Sequence, residues 1–398
     1  MTPLAVTGMG MASPLGIGRE SWQAALSQEH THQFFTDKSQ ILSEEAIPHA
    51  CVAEVQNFAP QDLLGDKGLR NLDRLTKLLI VAARLALIDA GIKRDGEFLA
   101  LSSQQVGLCS STAYGSLEAI TELKLVAELE DPRYLNPARF PNTVINAAAG
   151  YVSIWEDLRA PNVTLVNGNC GALDAVLSAQ THLERGRGEA FLIGGGEALS
   201  DALYLAFDRL GVIAGVDQRA HVGAPDSEGM RLGEGAVYLC AEPYQNAQAR
   251  GARIQGHILG YGTAFEVPQS EAEIVHFAPR AVERAILAAL KDADKAPEQI
   301  EFVCASLSGI APMDQAELEA LSNIFGEQTS VLAPKQIWGE TLGASGGFGM
   351  AAALSWLAGI PMPRPIQGGQ KKPTGHAVVT TVGYYGNVSA VVLKGEHP

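Results

Sequence analysis

The chain has 398 residues, of which 46% are hydrophobic and 18% are charged, and its formal net charge is -15. The apolar content argues against intrinsic disorder, and the acidic balance argues against a nucleic-acid-binding surface. The most apolar long segment, Leu75–Ile92, contains three charged side chains and therefore does not predict a membrane span. The five cysteines lack paired spacings and the N-terminal residues lack a basic flank, so we expect no metal site, no disulfide framework and a cytoplasmic location.

Short β-type runs alternate with helical windows along the chain, which is typical of an α/β fold with mainly parallel sheets. The predicted strands are Leu4–Thr7, Gln105–Cys109, Val163–Asn167, Ala190–Gly194, Ala236–Cys240, Ile254–Thr263, Glu301–Ser306, His376–Val382 and Val388–Leu393. The predicted helices are Leu75–Ala90, Ser116–Glu130, Gly171–Arg185, Phe277–Asp294, Gln315–Ile324 and Gly346–Leu357. No linker-like stretch divides the chain. The order of the elements favours two similar halves, and residues 241–253 are the best candidate for the place where they meet.

The turn Asn167–Cys170 joins a predicted strand to a helix with an apolar stripe. A side chain at such a position lies at a helix N-terminus, where the dipole and free N–H groups stabilise an anion. A thiolate placed there becomes a better nucleophile, so Cys170 is a candidate. The alternative is that Cys170 is a small buried residue of the core.

Two further motifs fall on one glycine-rich segment. Gly343-Ala-Ser345-Gly-Gly347 matches the G-x-S-x-G elbow of serine hydrolases, but no strand directly precedes it. The overlapping run from Gly347 to Ala352 fits a loose dinucleotide fingerprint without a βαβ start. Small residues for tight helix packing explain both matches more simply, and we predict no cofactor.

Several segments, in the right order along nearly the whole chain, resemble the β-ketoacyl synthase family of the thiolase fold. They are Ala5–Gly16 as the first strand and glycine turn, Phe140–Thr143, Ala160–Val166, Gly194–Ala198, Gly229–Gly235, Ala249–Ala252, Lys335–Gly347 and Gly383–Asn387. The resemblance implies a five-layered αβαβα arrangement. Its N-terminal half would span residues 1–245, with a dimer-interface and cap segment at about 110–160, and its C-terminal half residues 246–398.

Active members of the family use a cysteine nucleophile, and here two residues compete for its position. Counting back from Leu173 without a gap puts Asn169 there, whereas one deleted residue would restore Cys170. One helical step rotates a side chain by about 100°, so only one of them can face the reaction centre. Asn169 has no proton that is removable near neutral pH and cannot carry an acyl group.

The family also uses two histidines, and neither position has one in this sequence. Leu307, or Ser306, stands where the first is expected, and Glu340 stands where the second is expected. Lys335 is retained. A carboxylate would oppose the negative charge that develops on an enolate, so decarboxylative condensation looks disabled.

A ketosynthase-like chain without these catalytic residues is similar to the chain length factors of type II polyketide systems, particularly of aryl polyene clusters. The resemblance implies a heterodimer with an active ketosynthase. Because this chain is acidic, we expect an acidic acyl carrier protein to meet the basic face of the partner and not this chain. The interface and tunnel candidates are Tyr134, Phe140, Asn162, Thr164 and Val166, and Tyr384 is the gating-loop candidate. The rival hypothesis is an acyltransferase or condensing enzyme that uses Cys170; a catalytically inactive homodimer with a scaffold role is a third.

Overall fold

The computed structural model describes residues 2–27, 31–216, 218, 220–268, 270, 275–276, 278–370, 373 and 375–396. The strands within these ranges are β1 Leu4–Ser13, β2 Gly16–Ile17, β3 Lys93–Arg94, β4 Glu97–Phe98, β5 Val106–Ser111, β6 Asn162–Leu165, β7 Ala190–Glu197, β8 Gly235–Pro243, β9 Gly256–Phe265, β10 Ile300–Cys304, β11 Ser330–Leu332, β12 His376–Val382 and β13 Asn387–Gly395.

The α-helices in the same ranges are α1 Arg19–Leu26, α2 Gln61–Leu64, α3 Arg74–Asp89, α4 Leu117–Leu125, α5 Ala147–Glu156, α6 Gly171–Glu184, α7 Asp201–Arg209, α8 Tyr244–Ala249, α9 Pro279–Asp292, α10 Ala311–Phe325, α11 Lys335–Trp338 and α12 Ser345–Leu357. The π-helical turn Val126–Glu130 continues α4. None of the helices in the described ranges is long and apolar enough to cross a membrane.

One mixed sheet runs through the described residues in the order β11-β10-β12-β13-β9-β1-β8-β7-β5-β6. Each half of this order begins at its outer edge with two parallel pairings and continues with two antiparallel pairings. The antiparallel contact of β1 with β9 joins the halves. The chain is therefore built from two halves of the same topology, while the exact division after residue 245 stays a prediction.

The described elements stack in five layers, as predicted. α3 and α5 cover one outer face of the sheet, and α9 and α10 cover the other. Between the two sheet halves lie α6 and α12, which contact each other and strands of both halves. Alternate residues of a strand serve different layers: Phe302 belongs to the central apolar cluster and Val303 to the outer one.

Glycines in β1 let a helix approach the sheet closely. A Cβ atom at Gly8 or Gly10 would lie only 2.5 or 2.2 Å from the carbonyl oxygens of Ala86 and Ala82 in α3. The glycine turn expected in this segment lies at its end, where Pro14 and Leu15 form a turn and Gly16 has a φ of 124°, whereas Gly8 and Gly10 lie inside the ten-residue strand β1. They are needed because a side chain there would collide with the helix backbone.

The C-terminal half repeats this arrangement. A Cβ atom at Gly260 or Gly262 of β9 would meet the carbonyl oxygens of Ala289 and Ala285 in α9, at 2.4 and 2.2 Å. The Asp292 carboxylate accepts a hydrogen bond from the backbone N–H of Tyr261, at 3.0 Å.

In the N-terminal half, the Asp89 carboxylate likewise accepts a hydrogen bond from the backbone N–H of Met9, at 2.9 Å. The two halves thus share a strand glycine pair, helix alanines four residues apart and a carboxylate that ties the helix end to the strand.

The predicted elements agree with the structure except at short or irregular segments. The bounds of β12 match the prediction, and the other predicted strands and helices are found with shifted ends. Phe277, the predicted start of one helix, lies outside the described residues. The resemblance implies a helix near Asn142–Ser153, which is found as α5 with shifted ends. The elements that were not predicted are short and show too few residues to display a period: α1, α2, α7, α8, α11, β2, β3, β4 and β11.

Candidate functional site

A single turn connects β6 to α6 and presents the two competing residues. The chain passes through the 3-10 turn Gly168–Cys170, in which Gly168 has a φ of 53°, a left-handed conformation that favours glycine. Asn169 and Cys170 then lie side by side at the N-terminus of α6, and both are buried. Although they are neighbours in the chain, their side chains contact different parts of the protein.

Asn169 faces a polar cluster formed by the C-terminal half. Its Nδ2 donates hydrogen bonds to Glu340 Oε2, at 3.3 Å, and to the backbone oxygen of Val382, at 3.2 Å. Its Oδ1 is buried and has no hydrogen-bond partner among the described residues. The amide therefore joins the N-terminus of α6 to the end of β12.

Cys170 is directed away from this cluster. Its Sγ lies 3.4 Å from the backbone oxygen of Thr381 and 3.5 Å from that of Asn387. Burial raises the pKa of the Cys170 thiol to about 12, and the negative charge of Asp174 adds to the increase. The expected thiolate is thus not favoured. A helix N-terminus stabilises a nearby thiolate by about 0.3–1 kcal/mol. The increase of the thiol pKa from 9 to about 12 corresponds to about 4 kcal/mol against the thiolate, which is the larger effect.

Lys335 and Glu340 form a buried ion pair beside Asn169. The Nζ of Lys335 lies 2.6 Å from Glu340 Oε2 and donates a second hydrogen bond to Ser306 Oγ, at 3.2 Å. The hydroxyl oxygen of Ser306 also accepts the backbone N–H of Val382, at 3.0 Å. Asn169, Ser306, Lys335 and Glu340, four of the predicted site residues, are therefore one hydrogen-bonded group, which we call the polar network.

The second carboxylate oxygen of Glu340 stabilises the turn that follows it. Glu340 Oε1 accepts the backbone N–H of Leu342, at 2.8 Å, and the hydroxyl of Ser345, at 2.5 Å. Leu342 has a φ of 48°, a left-handed conformation that costs a bulky residue about 1–3 kcal/mol. Glu340 is thus satisfied by four donors and holds a strained turn.

The geometry does not provide a serine nucleophile. The Ser345 hydroxyl is committed to a carboxylate, which does not support the G-x-S-x-G hypothesis. A serine beside a lysine can also form a nucleophile and base pair. Here, however, Lys335 Nζ donates its hydrogen bonds to Ser306 Oγ and to Glu340 Oε2, so the serine oxygen accepts from the lysine and does not give it a proton.

The structure distinguishes between the two residues predicted for the first histidine position. Ser306 lies in the polar network, whereas Leu307 is buried in the apolar cluster between the sheet and the α9 layer. Ser306 is anchored at its backbone as well, because its N–H donates to Glu317 Oε1, at 2.9 Å. Ser306, and not Leu307, is therefore the residue at this end of β10 that faces Lys335.

Two buried acids of α10 support the network and were not predicted. Asp314 accepts the backbone N–H groups of Ser308, Gly309 and Gly223, at 2.8 to 2.9 Å. Glu317 accepts the hydroxyl of Thr380, at 2.6 Å, in addition to Ser306. The spacing Asp-x-x-Glu, which puts both carboxylates on one face of a helix, was the available sequence signal.

Burial raises the pKa of Glu317 to about 7 from 4.5, and the nearby charge of Asp314 adds to the increase. Because the pKa of Glu317 is higher in the folded than in the unfolded chain, protonation of Glu317 stabilises the fold. This contribution to the free energy of unfolding is fully present below pH 4.5 and is lost as the pH rises through 7. We expect Glu317→Gln, which stays neutral and keeps the accepting oxygen, to gain stability relative to wild type by up to about 1.4 kcal/mol per pH unit in this window. Urea unfolding at pH 5, 6, 7 and 8 measures the difference.

The control for this comparison is a second acid, Glu197, whose pKa burial also raises to about 7. It accepts the backbone N–H groups of Ala113, Tyr114 and Gly343. Its contribution remains in both proteins, so Glu317→Gln should reduce the pH dependence and not abolish it. Parallel profiles for the variant and the wild type would contradict the titration of Glu317.

Tyr384 lies on the loop between β12 and β13 and closes one side of the network. Its ring makes an edge contact with Phe207, at 5.8 Å between centroids, and its hydroxyl donates to Met230 Sδ, at 3.4 Å. Burial and the charge of Glu340 raise the pKa of Tyr384 well above its usual value. The side chain is therefore packed in place, in agreement with a structural role; a gating role stays a prediction.

The space between these side chains is very small. The cavity has a volume of about 10 Å³, roughly the space of one water molecule. Its lining residues are Asn169, Ser306, Ser308, Met313, Asp314, Glu317, Lys335, Val382 and Tyr384. The lining contains neither histidine nor cysteine, and no group of three potential metal ligands occurs in the ranges that the structure covers.

The predicted interface residues lie on the surface and do not line this cavity. The side chains of Tyr134 and Phe140 are 71% and 68% exposed, and Val166 is half exposed. Asn162 and Thr164 belong to β6, the strand at one edge of the sheet. Asn162 Nδ2 donates to the backbone oxygen of Ala149, at 2.9 Å, which holds α5 against this strand.

Models of one protein family match both halves of the chain. A model described as the N-terminal domain of β-ketoacyl synthases matches residues 1–247, and one described as the C-terminal domain matches residues 256–366. A curated relative, 3-oxoacyl-[acyl-carrier-protein] synthase 2 of Staphylococcus aureus strain N315, is 28% identical over 386 residues, covering 94% of this chain and 87% of that protein.

Solved structures share the fold over the full length. A chain of the ishigamide ketosynthase/chain length factor has a TM-score of 0.86 and 23% identity, with 100% of both chains covered. A chain of the ketosynthase ApeO in complex with its chain length factor ApeC, from Xenorhabdus doucetiae, has a TM-score of 0.80 and 19% identity, covering 99% of this chain and 98% of that one. The predicted thiolase-like α/β fold is confirmed.

Proposed function

Because this chain belongs to the β-ketoacyl synthase family, we propose that it is a chain length factor. This is a ketosynthase-like subunit that does not catalyse condensation itself, pairs with an active ketosynthase and shapes the acyl tunnel of that partner in type II polyketide or aryl polyene biosynthesis. The observation that carries the proposal is the polar network. Asn169, Ser306 and Glu340 lie together where the family resemblance implies a nucleophilic cysteine and two histidines.

The network lacks each chemical group that condensation needs. An amide cannot carry the acyl chain, and neither a hydroxyl nor a carboxylate can replace an imidazole that stabilises a forming enolate. Glu340 adds negative charge where the transition state would also develop it. A cavity of about 10 Å³ is also far smaller than an acyl thioester. Both the charge and the space therefore favour a subunit without condensing activity.

The rival hypothesis is an active acyltransferase or condensing enzyme with Cys170 as its nucleophile. It draws support from the relatives named 3-oxoacyl-[acyl-carrier-protein] synthase 2 and from the position of the thiol at a helix N-terminus. Against it, Cys170 is fully buried and the pKa of its thiol is raised to about 12, so that thiolate is scarce at neutral pH. Among the described residues no base hydrogen-bonds the sulfur, whose partners are backbone carbonyl oxygens and the side chains of Thr381 and Ser389.

Exposed apolar side chains support the proposed heterodimer. Within residues 110–166, seven large hydrophobic side chains are at least half exposed: Leu125, Leu129, Tyr134, Phe140, Val144, Ile154 and Val166. Exposed patches of this kind are typical of protein interfaces. The edge strand β6 also has unpaired backbone groups on its outer side, which a strand of the partner could pair with across a pseudo-twofold axis.

We expect co-expression with the cognate ketosynthase to yield a 1:1 complex, and Cys170→Ala to leave product formation by that complex within about twofold of wild type. The reason is that a buried thiol hydrogen-bonded to carbonyl groups takes no part in the chemistry. Product formation from malonyl- and acyl-carrier protein, together with intact-protein mass spectrometry, measures both points. The matched control is the catalytic cysteine of the ketosynthase partner, whose replacement by alanine should abolish products.

Three outcomes would contradict the proposal. An acyl adduct on Cys170 with condensation by the isolated chain would favour the enzyme hypothesis. Loss of products in Cys170→Ala with an intact complex would do the same. A stable homodimer that does not bind its cognate ketosynthase would favour the scaffold hypothesis.

A further inference from the structure

Asn169, which lines the cavity, carries a hydrogen-bond acceptor whose orientation is fixed. Both hydrogens of Nδ2 are used, one by the Glu340 carboxylate and one by the backbone oxygen of Val382. Neither of these groups can donate, so the amide cannot rotate by 180° without placing oxygen against oxygen. Asn169 Oδ1 therefore has to remain where it is, buried and without a partner among the described residues. A buried acceptor in this state favours a donor of its own.

The other walls of the cavity are polar as well. Ser308, Glu317 and Lys335 line it together with Asn169. Both hydrogen bonds that Glu317 accepts end on Oε1, so its second carboxyl oxygen is available to a further group. A small molecule here could therefore form two or more hydrogen bonds at once.

The charges of the walls select a neutral occupant. Lys335 lines the cavity, and its ion-pair partner Glu340 lies directly behind it; the ammonium group would repel a cation such as ammonium, and the carboxylate would repel an anion. The volume of about 10 Å³ admits one water molecule and no larger group. We propose that this cavity binds a single water molecule that donates a hydrogen bond to Asn169 Oδ1 and connects the amide to the opposite wall. The site would then hold water where an active relative holds substrate. This inference does not depend on the partner proposed above.

A crystal structure of the chain at about 1.5 Å resolution tests the proposal directly. We expect one density peak at about 2.7–3.2 Å from Asn169 Oδ1 and within hydrogen-bond distance of Glu317 or Ser308. The peak should persist in Glu317→Gln, which retains a polar group on that wall, and disappear in Asn169→Leu, which removes the acceptor. An empty cavity with the Asn169 amide unchanged would overturn the proposal.

A solution measurement covers the case in which Asn169→Leu does not fold. Val382→Ile adds one methyl group at the cavity wall, about the volume of the proposed water molecule. Oxygen-17 relaxation dispersion should then count one fewer long-lived water molecule than in the wild type. The matched control is Val378→Ile, on the same strand and in the same apolar cluster but not in the lining of the cavity, which should not change the count. An unchanged count in Val382→Ile would contradict a water site at this place.

Discussion

Replacing Glu340 by alanine should lower the free energy of unfolding by about 3–5 kcal/mol, because removal of one partner leaves the other charge buried and unpaired. Lys335 is buried; its remaining hydrogen bond is to the Ser306 hydroxyl, and the nearby acids Asp314 and Glu317 interact with it only through space. The strained turn at Leu342 would lose its hydrogen bond at the same time. Urea unfolding followed by circular dichroism measures the change.

Two matched variants separate the buried charge from other effects. The double variant Lys335→Met, Glu340→Leu removes both charges and should recover most of the loss, since apolar side chains of similar volume often replace a buried ion pair without cost. Glu128→Ala breaks an exposed pair with Lys124, at 3.8 Å, and should cost less than about 1 kcal/mol. A loss for Glu340→Ala no larger than that for Glu128→Ala would mean that the ion pair does not support the fold.

Replacing Ile154 by aspartate should weaken the complex with the ketosynthase by about 30- to 1,000-fold, corresponding to about 2–4 kcal/mol for a central interface residue. The side chain of Ile154 is 76% exposed on α5, the helix that Asn162 holds against the edge strand β6. In the proposed dimer this helix and strand lie at the contact, so a carboxylate there would be buried without a partner. Titration of the labelled chain with ketosynthase, read by fluorescence anisotropy, gives the dissociation constants.

Leu99→Asp provides the matched control. Leu99 is also a large exposed side chain, at 59%, but it lies beyond the short hairpin of β3 and β4, outside the proposed interface. We expect the affinity of this variant for the ketosynthase to change by less than about twofold, and both variants to unfold at the same urea concentration as the wild type. Equal weakening by both substitutions, or by neither, would place the contact elsewhere.

The fold was predictable from the sequence because its long elements have clear periods. The strand His376–Val382 was located with its observed bounds, and the α/β alternation gave the correct class. Two similar halves were predicted from the order of the elements, but the repeat within the sequence itself was not recognised, although Gly8-Met-Gly10 and Gly260-Tyr-Gly262 are visible in it. The role of these two glycine pairs becomes evident only in the structure, where each pair packs against the backbone of a helix, at Ala82 and Ala285.

For the site, residue identities alone already decided that no imidazole stands at Ser306 or Glu340. They did not decide between Asn169 and Cys170, because neighbours at a helix N-terminus differ by about 100° in direction and the sequence does not record which direction faces the reaction centre. In the tertiary structure Asn169 contacts Glu340, 171 residues apart, whereas Cys170 contacts the backbone oxygen of Thr381; that the polar network occupies the place of the reaction centre stays a proposal. The tertiary structure also decided that Glu340 is an ion-paired member of the core and that Cys170 is withdrawn from water. Both properties arise from burial, which depends on chain segments that only folding brings together.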